Sequence, residues 1–228
     1  MTLPNSRIRV DLHVHSIGSW DSTLTAEQLR DACSHAGIGA VAVTEHNRFG
    51  SHAEIAERCP DLFVIPGEEI DTRDGHLIGL FMKEFIPRGL PAIETAHAIK
   101  AQGGLVYVPH PFVRLANSRL TARALEEVSP LVDVVEVWNG RGPTDAPDRR
   151  ASEFARKRGF ASGAGSDAHS KWEIGHGCVE LDRFTGPADF LSNLGAGRVI
   201  ESRSPLHAMV RGFLLASWRK VLGRDRIP

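Results

Sequence analysis

Asp11-Leu12-His13-Val14-His15-Ser16 closes the first β-branched run of the chain, residues 8–14, and its reading decides the fold. Side chains alternate along an extended strand, so His13 and His15 share one face while Leu12 and Val14 take the other. Two imidazoles on one face suit a metal ion, because both aim nitrogen lone pairs the same way. A hydrogen-bonded histidine pair at a strand end has the same spacing. The rest of the chain separates these readings. Further runs are followed or opened by Thr44-Glu45-His46, Pro66-Gly67-Glu68-Glu69, Gly75-His76, Pro109-His110-Pro111 and Ser166-Asp167-Ala168-His169. Adjacent carboxylates such as Glu68 and Glu69 are costly to bury without cations. Six strand ends bearing histidine or acid predict a multinuclear site for borderline transition metals on one rim of a sheet.

Those ends belong to short strands at 8–14, 40–44, 62–66, 77–81, 105–108, 132–137 and 161–165, alternating with helical stretches. The alternation predicts β-α units around a parallel sheet. Thr25-Ala26-Glu27-Gln28 is a capping box that opens one helix, and Gly37 stops it. Leu90-Pro91 opens another that runs to Gly103-Gly104, and two more cover 121–128 and 147–158, the last ended by Gly159. Chemistry placed just after strands is the habit of α/β barrels and open α/β sheets.

The chain has 228 residues, 42 % hydrophobic and 24 % charged, enough for one substantial core and too apolar for disorder. Lys and Arg number 27 against 28 Asp and Glu, a formal net charge of −1, which argues against an extended nucleic-acid surface. A single nucleotide or a nucleotide end remains compatible with that balance. Three cysteines without a C-x-x-C pair indicate neither a disulfide framework nor a zinc ribbon. No apolar run spans a bilayer and the start lacks a signal-like core, so a cytoplasmic location is expected.

As a series, DLHVHS (11–16), SWDST (19–23), TEHN (44–47), PGEEI (66–70), GH (75–76), HP (110–111) and SDAH (166–169) resemble the PHP family, the polymerase and histidinol phosphatase family of metal-dependent phosphoesterases. The resemblance implies a distorted seven-stranded (β/α) barrel. It also implies nine metal ligands: His13, His15, Asp21, His46, Glu69, His76, His110, Asp167 and His169. By the same likeness His13, His15, Glu69 and Asp167 hold one divalent ion and the hydroxide that attacks phosphorus. Asp21, His46 and His169 hold a second, and Glu69, bridging, holds a third with His76 and His110. Zinc, manganese and iron all accept this donor set. Three carboxylates against three divalent ions leave an excess of about +3, which suits a phosphate dianion and a hydroxide. The family usually has aspartate where Glu45 stands; an acid that only orients His46 from behind tolerates the extra methylene. Alignment to the family's G-x-E pattern selects Glu69 over Glu68 as the bridge.

Arg48, Arg141 and Lys171 follow site segments and are candidates for gripping phosphate, Arg141 foremost because Asn139-Gly140-Arg141 resembles a segment of related PHP proteins. Trp20 and Trp138 flank the same segments; packing is the better reading for both, as a loop role is for His176. Met209, Val210, Phe213, Leu214, Trp218, Val221 and Leu222 recur at helical spacing among Arg211, Arg219 and Lys220. They predict an amphipathic helix over 204–228, docked on a single barrel domain of 7–203 and similar to PHP-associated C-terminal regions. Together these features describe a phosphoesterase for small phosphate monoesters, nucleotides or nucleotide ends among them. An amidohydrolase-type enzyme and a non-catalytic metal-stabilised module are the alternatives.

Overall fold

The computed structural model describes residues 7–113, 118–142, 144–210, 214 and 218. β1 (Arg7–Val14), β2 (Ala40–Val43) and the first half of β3 (Phe63–Thr72) are parallel neighbours, and so are β5 (Leu105–Val108), β6 (Val134–Asn139) and β7 (Ala161–Gly165). β4 (Gly75–Leu80) departs from the expected parallel sheet, running antiparallel to both β3 and β5. The cause is a tight Arg73-Asp74 connection, which can join only antiparallel strands. It places the start of β4, and so His76, at the rim where the parallel strands end.

Two strands that were not expected, β8 (Cys178–Asp182) and β9 (Arg198–Ile200), extend the sheet beyond β1, giving the order β7-β6-β5-β4-β3-β2-β1-β8-β9. The sheet curls until β7 meets β1. Asp167 N donates to His13 O at 2.8 Å and His15 N to Ala168 O at 2.9 Å. Gly165 permits the approach, since a Cβ there would lie 2.3 Å from the His13 Cβ. The result is a nearly closed α/β barrel, as expected.

Helices α1 (Ala26–Ala36), α2 (Ser51–Arg58), α3 (Ala92–Ala101), α4 (Ala122–Val128), α5 (Ala146–Arg158) and α6 (Pro187–Leu194) accompany the strands, with a 3-10 turn at Ser129–Leu131 and helical residues at 206–210. Thr25 and Gln28 form the capping box of α1, while Gly37 and Gly159 end α1 and α5 in the left-handed conformation. Inside the barrel, Val10, Leu12, Ile65, Ile78, Tyr107 and Val134 pack together. Leu12 and Val14 do not share a face as alternation suggested. The β1–β2 ladder is irregular between Asp11 and Val14, and Val14 packs outside with Leu29 and Ile55. This bulge re-aims the strand end.

Candidate metal centre

The nine histidines and acids come together at that rim. Glu69, on β3 and 1 % exposed, stands in the middle. Its Oε1 lies 2.8 Å from His76 Nδ1 and 3.2 Å from His110 Nε2. Its Oε2 lies 3.3 Å from both His13 Nε2 and His15 Nε2, and 3.1 Å from His46 Nδ1. Asp167 Oδ1 approaches His15 Nε2 to 3.4 Å and His13 Nε2 to 3.7 Å. On the far side Asp21 Oδ2 is 3.1 Å from His169 Nε2 and 3.4 Å from His46 Nε2. Three sets offer donor atoms within 4.8 Å of one another: His15, His46 and His169; His13, His15 and Asp167; His13, Glu69 and His110. Glu68 points elsewhere, its Oε2 accepting from Ile86 N at 3.0 Å.

Backbone strain marks the same place. His110 (φ 31°) and Asp167 (φ 54°) hold the left-handed region that non-glycine residues rarely adopt, and Asn47 (φ 50°) follows His46. Buried Asp21 Oδ1 and His110 Nδ1 lack hydrogen-bond partners. Burial opposes ionisation of Glu69, Asp21 and Asp167, yet the histidines around them hold all three carboxyls well below the usual range. Burial likewise opposes charge on His46, but Asp21 and Glu69 push it up to about 10. So many carboxylates and imidazoles drawn together, with polar atoms to spare, fit a set of divalent cations.

A second layer of buried acids holds the imidazoles, and sequence reading missed most of it. Glu136 Oε1 faces His13 Nδ1 at 3.1 Å, and since a carboxylate only accepts, Nδ1 carries the proton and Nε2 is left bare toward the centre. Glu45 does not orient the His46 ring. It accepts from the Ser16 and Ser19 hydroxyls instead. Ser19 Oγ, its hydrogen spent on Glu45, accepts from His15 Nδ1 at 3.2 Å and His46 N at 3.1 Å. Glu173 Oε2 accepts from His169 N at 3.1 Å. Asp11 receives Ser166 N at 2.9 Å, pinning β7 to β1. A glutamate inside the apolar run Val134-Val135-Glu136-Val137 was the available signal.

Arg141, Asn139, Val113 and Ser118 line a cleft of about 170 Å3 above the histidines. Arg141 Nη1 lies 2.9 Å from His169 Nδ1, and its Nε faces Glu173 Oε1 at 3.2 Å. Arg48 and Lys171 are not among the lining residues; both are exposed, Arg48 reaching Gly18 O at 3.5 Å and Lys171 standing 5.0 Å over the Trp172 ring. Trp138 is packed beneath Arg203, whose guanidinium carbon is 3.9 Å from the ring centre, and the Trp20 ring is 6.4 Å from that of His46. His176 bonds Ser202 Oγ at 2.8 Å through Nδ1. Of the C-terminal stripe, Val210, Leu214 and Trp218 are exposed; Arg211, Phe213, Arg219, Lys220, Val221 and Leu222 lie outside the described residues.

Comparison with known proteins fits this architecture. The model of the PHP-associated family matches residues 147–199. An uncharacterized protein of Methanocaldococcus jannaschii, MJ0417, is 37 % identical over 197 residues, 82 % of this chain and 79 % of that one. PsfC from Pseudomonas syringae superposes with a TM-score of 0.70 at 16 % identity, covering 93 % of this chain and 99 % of that one. A two-domain protein of Bacteroides vulgatus containing a predicted PHP-like metal-dependent phosphoesterase gives 0.65 at 16 % identity, over 86 % of this chain and 65 % of that one. The lesion-specific endonuclease PfuEndoQ of Pyrococcus furiosus gives 0.61 at 14 % identity, over 85 % and 57 %. The chain thus spans less than two thirds of the last two proteins. It belongs to the PHP family.

Proposed function

We propose that the chain is a metal-dependent phosphoesterase acting on small phosphate monoesters, nucleotides or nucleotide ends among them. The observation that carries this reading is Glu69, whose two oxygens gather five imidazoles beneath a cleft edged by Arg141. His13, His15, Glu69 and Asp167 would hold one divalent ion, Asp21, His46 and His169 a second, and Glu69 with His76 and His110 a third. Zinc, manganese or iron would suit these donors. Such ions supply a nucleophile from water near neutral pH and neutralise charge on phosphate oxygens.

The chain's own residues do the rest. Glu136 and Ser19 keep the protons of His13 and His15 on Nδ1, so both rings turn bare nitrogens inward. Arg141, the guanidinium on the cleft wall, binds and orients phosphate oxygens, and Glu173 fixes its approach. Endonuclease Q is a DNA-acting structural neighbour, which supports including nucleotide ends among the substrates. The test compares an aryl phosphate monoester, a diaryl phosphodiester and an anilide, with and without chelator. Monoester turnover that chelator abolishes and added metal restores is expected. Turnover of the anilide alone would make the chain an amidohydrolase, and no turnover in a metal-loaded protein would make it a non-catalytic module.

A further inference from the structure

Glu136 is 1 % exposed on β6 and satisfies four donors at once. Oε1 meets His13 Nδ1 at 3.1 Å and accepts from the Tyr107 hydroxyl at 2.9 Å. Oε2 accepts from His110 N at 2.7 Å and Asn139 Nδ2 at 3.0 Å. An ionised carboxylate has about four acceptor positions, so its capacity is filled. The partners arrive from the ends of β1, β5 and β6, and among them are a ring nitrogen of one candidate ligand and the strained backbone of another. Asn139 passes the connection on, its Nδ2 also reaching Asp167 Oδ2 at 3.3 Å.

Building on the metal-centre reading, we infer that Glu136 is the positioning residue for two of the three cation positions. Two of the three donor sets contain His13, and one of these also contains His110; the third, His15 with His46 and His169, includes none of the four residues that bond Glu136, although His15 Nε2 lies 3.0 Å from His13 Nε2. A glutamine in its place has nearly the same shape but one acceptor oxygen for four donors. Its amide nitrogen, turned toward His13, would donate to Nδ1 and force the ring proton onto Nε2, where it blocks ligation. Packing alone would let glutamine substitute freely; positioning by charge and acceptor count does not.

The experiment measures bound divalent metal per chain and cation affinity by equilibrium dialysis with Mn2+ or Zn2+ on folded wild type, Glu136→Gln, Glu136→Asp and Tyr107→Phe. Glu136→Gln is expected to retain about one ion, with affinity for the others lowered about 10–100-fold. Glu136→Asp should restore part of that loss, and Tyr107→Phe should match wild type because the carboxylate stays. Unchanged stoichiometry and affinity in Glu136→Gln, or loss of all ions alike, would overturn the inference. Deuterium exchange at the His110 amide gives a metal-independent readout, protected in wild type and open in Glu136→Ala; equal protection in the two would also overturn it. Wild type that binds no cation would instead defeat the proposed function, leaving the amide exchange to decide the role of Glu136.

Discussion

His76 Nδ1 lies 2.8 Å from Glu69 Oε1 across the β3–β4 pair, while His76 Nε2 meets Asp71 Oδ1 at 3.1 Å. Glu69 thus shares His76 with Asp71 and has four further imidazoles on its two oxygens. Removing the shared carboxylate should cost more than removing any one ring. Glu69→Gln is expected to lower monoester turnover by at least ~10²-fold and to shed more metal than His76→Ala. Equal loss in the two variants, read by steady-state kinetics and elemental analysis, would deny Glu69 its bridging role.

Arg141 pairs with Glu173 Oε1 through Nε at 3.2 Å and lines the cleft. The proposed function gives it the phosphate of the substrate to hold. For Arg141→Ala we expect KM for a phosphate monoester to rise about tenfold with kcat changed much less. A collapse of kcat with KM unchanged would place Arg141 in the chemical step instead.

How much of this was legible follows from where each residue sits. The His13–His15 and Asp167–His169 pairs could be read because strand alternation and strand-end position are local properties, whereas those properties left Glu68 and Glu69 open and only the likeness to the family's G-x-E pattern chose Glu69. Most strand bounds held for the same reason, with β3 longer than expected because Pro66 and Gly67 continue it to Thr72. β8, β9, α2 and α6 are short, three to eight residues each, and were not expected. The reversal of β4 depended on a two-residue turn, and the Leu12–Val14 split on a bulge. Glu136 and the Glu45–Ser19 contact were hidden because their partners are distant in sequence; His13 and Glu136 are 123 residues apart, Ser19 and Glu45 26.

Glu68 gives a pH test away from the imidazoles. Burial raises its carboxyl from 4.5 to about 7, with only Ile86 N to offset the cost, and Oε1 has no hydrogen-bond partner. A folded-state pKa above the unfolded one means stability that is full below about pH 4.5 and lost as pH rises through about 7. Glu68→Gln should therefore be about 2 kcal/mol more stable than wild type at pH 8, with the advantage fading by pH 4.5. Denaturant unfolding at the two pH values checks this, and a pH-independent difference would contradict it.

Closure of the barrel at Gly165 separates fold from site. Alanine there would put its Cβ 2.3 Å from the His13 Cβ, so Gly165→Ala should cost about 3 kcal/mol and weaken metal binding together. Thr25→Ala removes the α1 cap and should cost about 1 kcal/mol while leaving metal binding intact. Thermal unfolding and metal titration of both variants check the contrast. Full metal affinity in Gly165→Ala would break the proposed link between strand approach and His13.

The central claim is tested most directly by metal content per folded chain, measured by elemental mass spectrometry on protein purified without chelators and again after metal reloading. Close to three divalent transition-metal ions per chain are expected, falling sharply in Glu69→Gln. A chain that stays folded and binds none after reloading would contradict it.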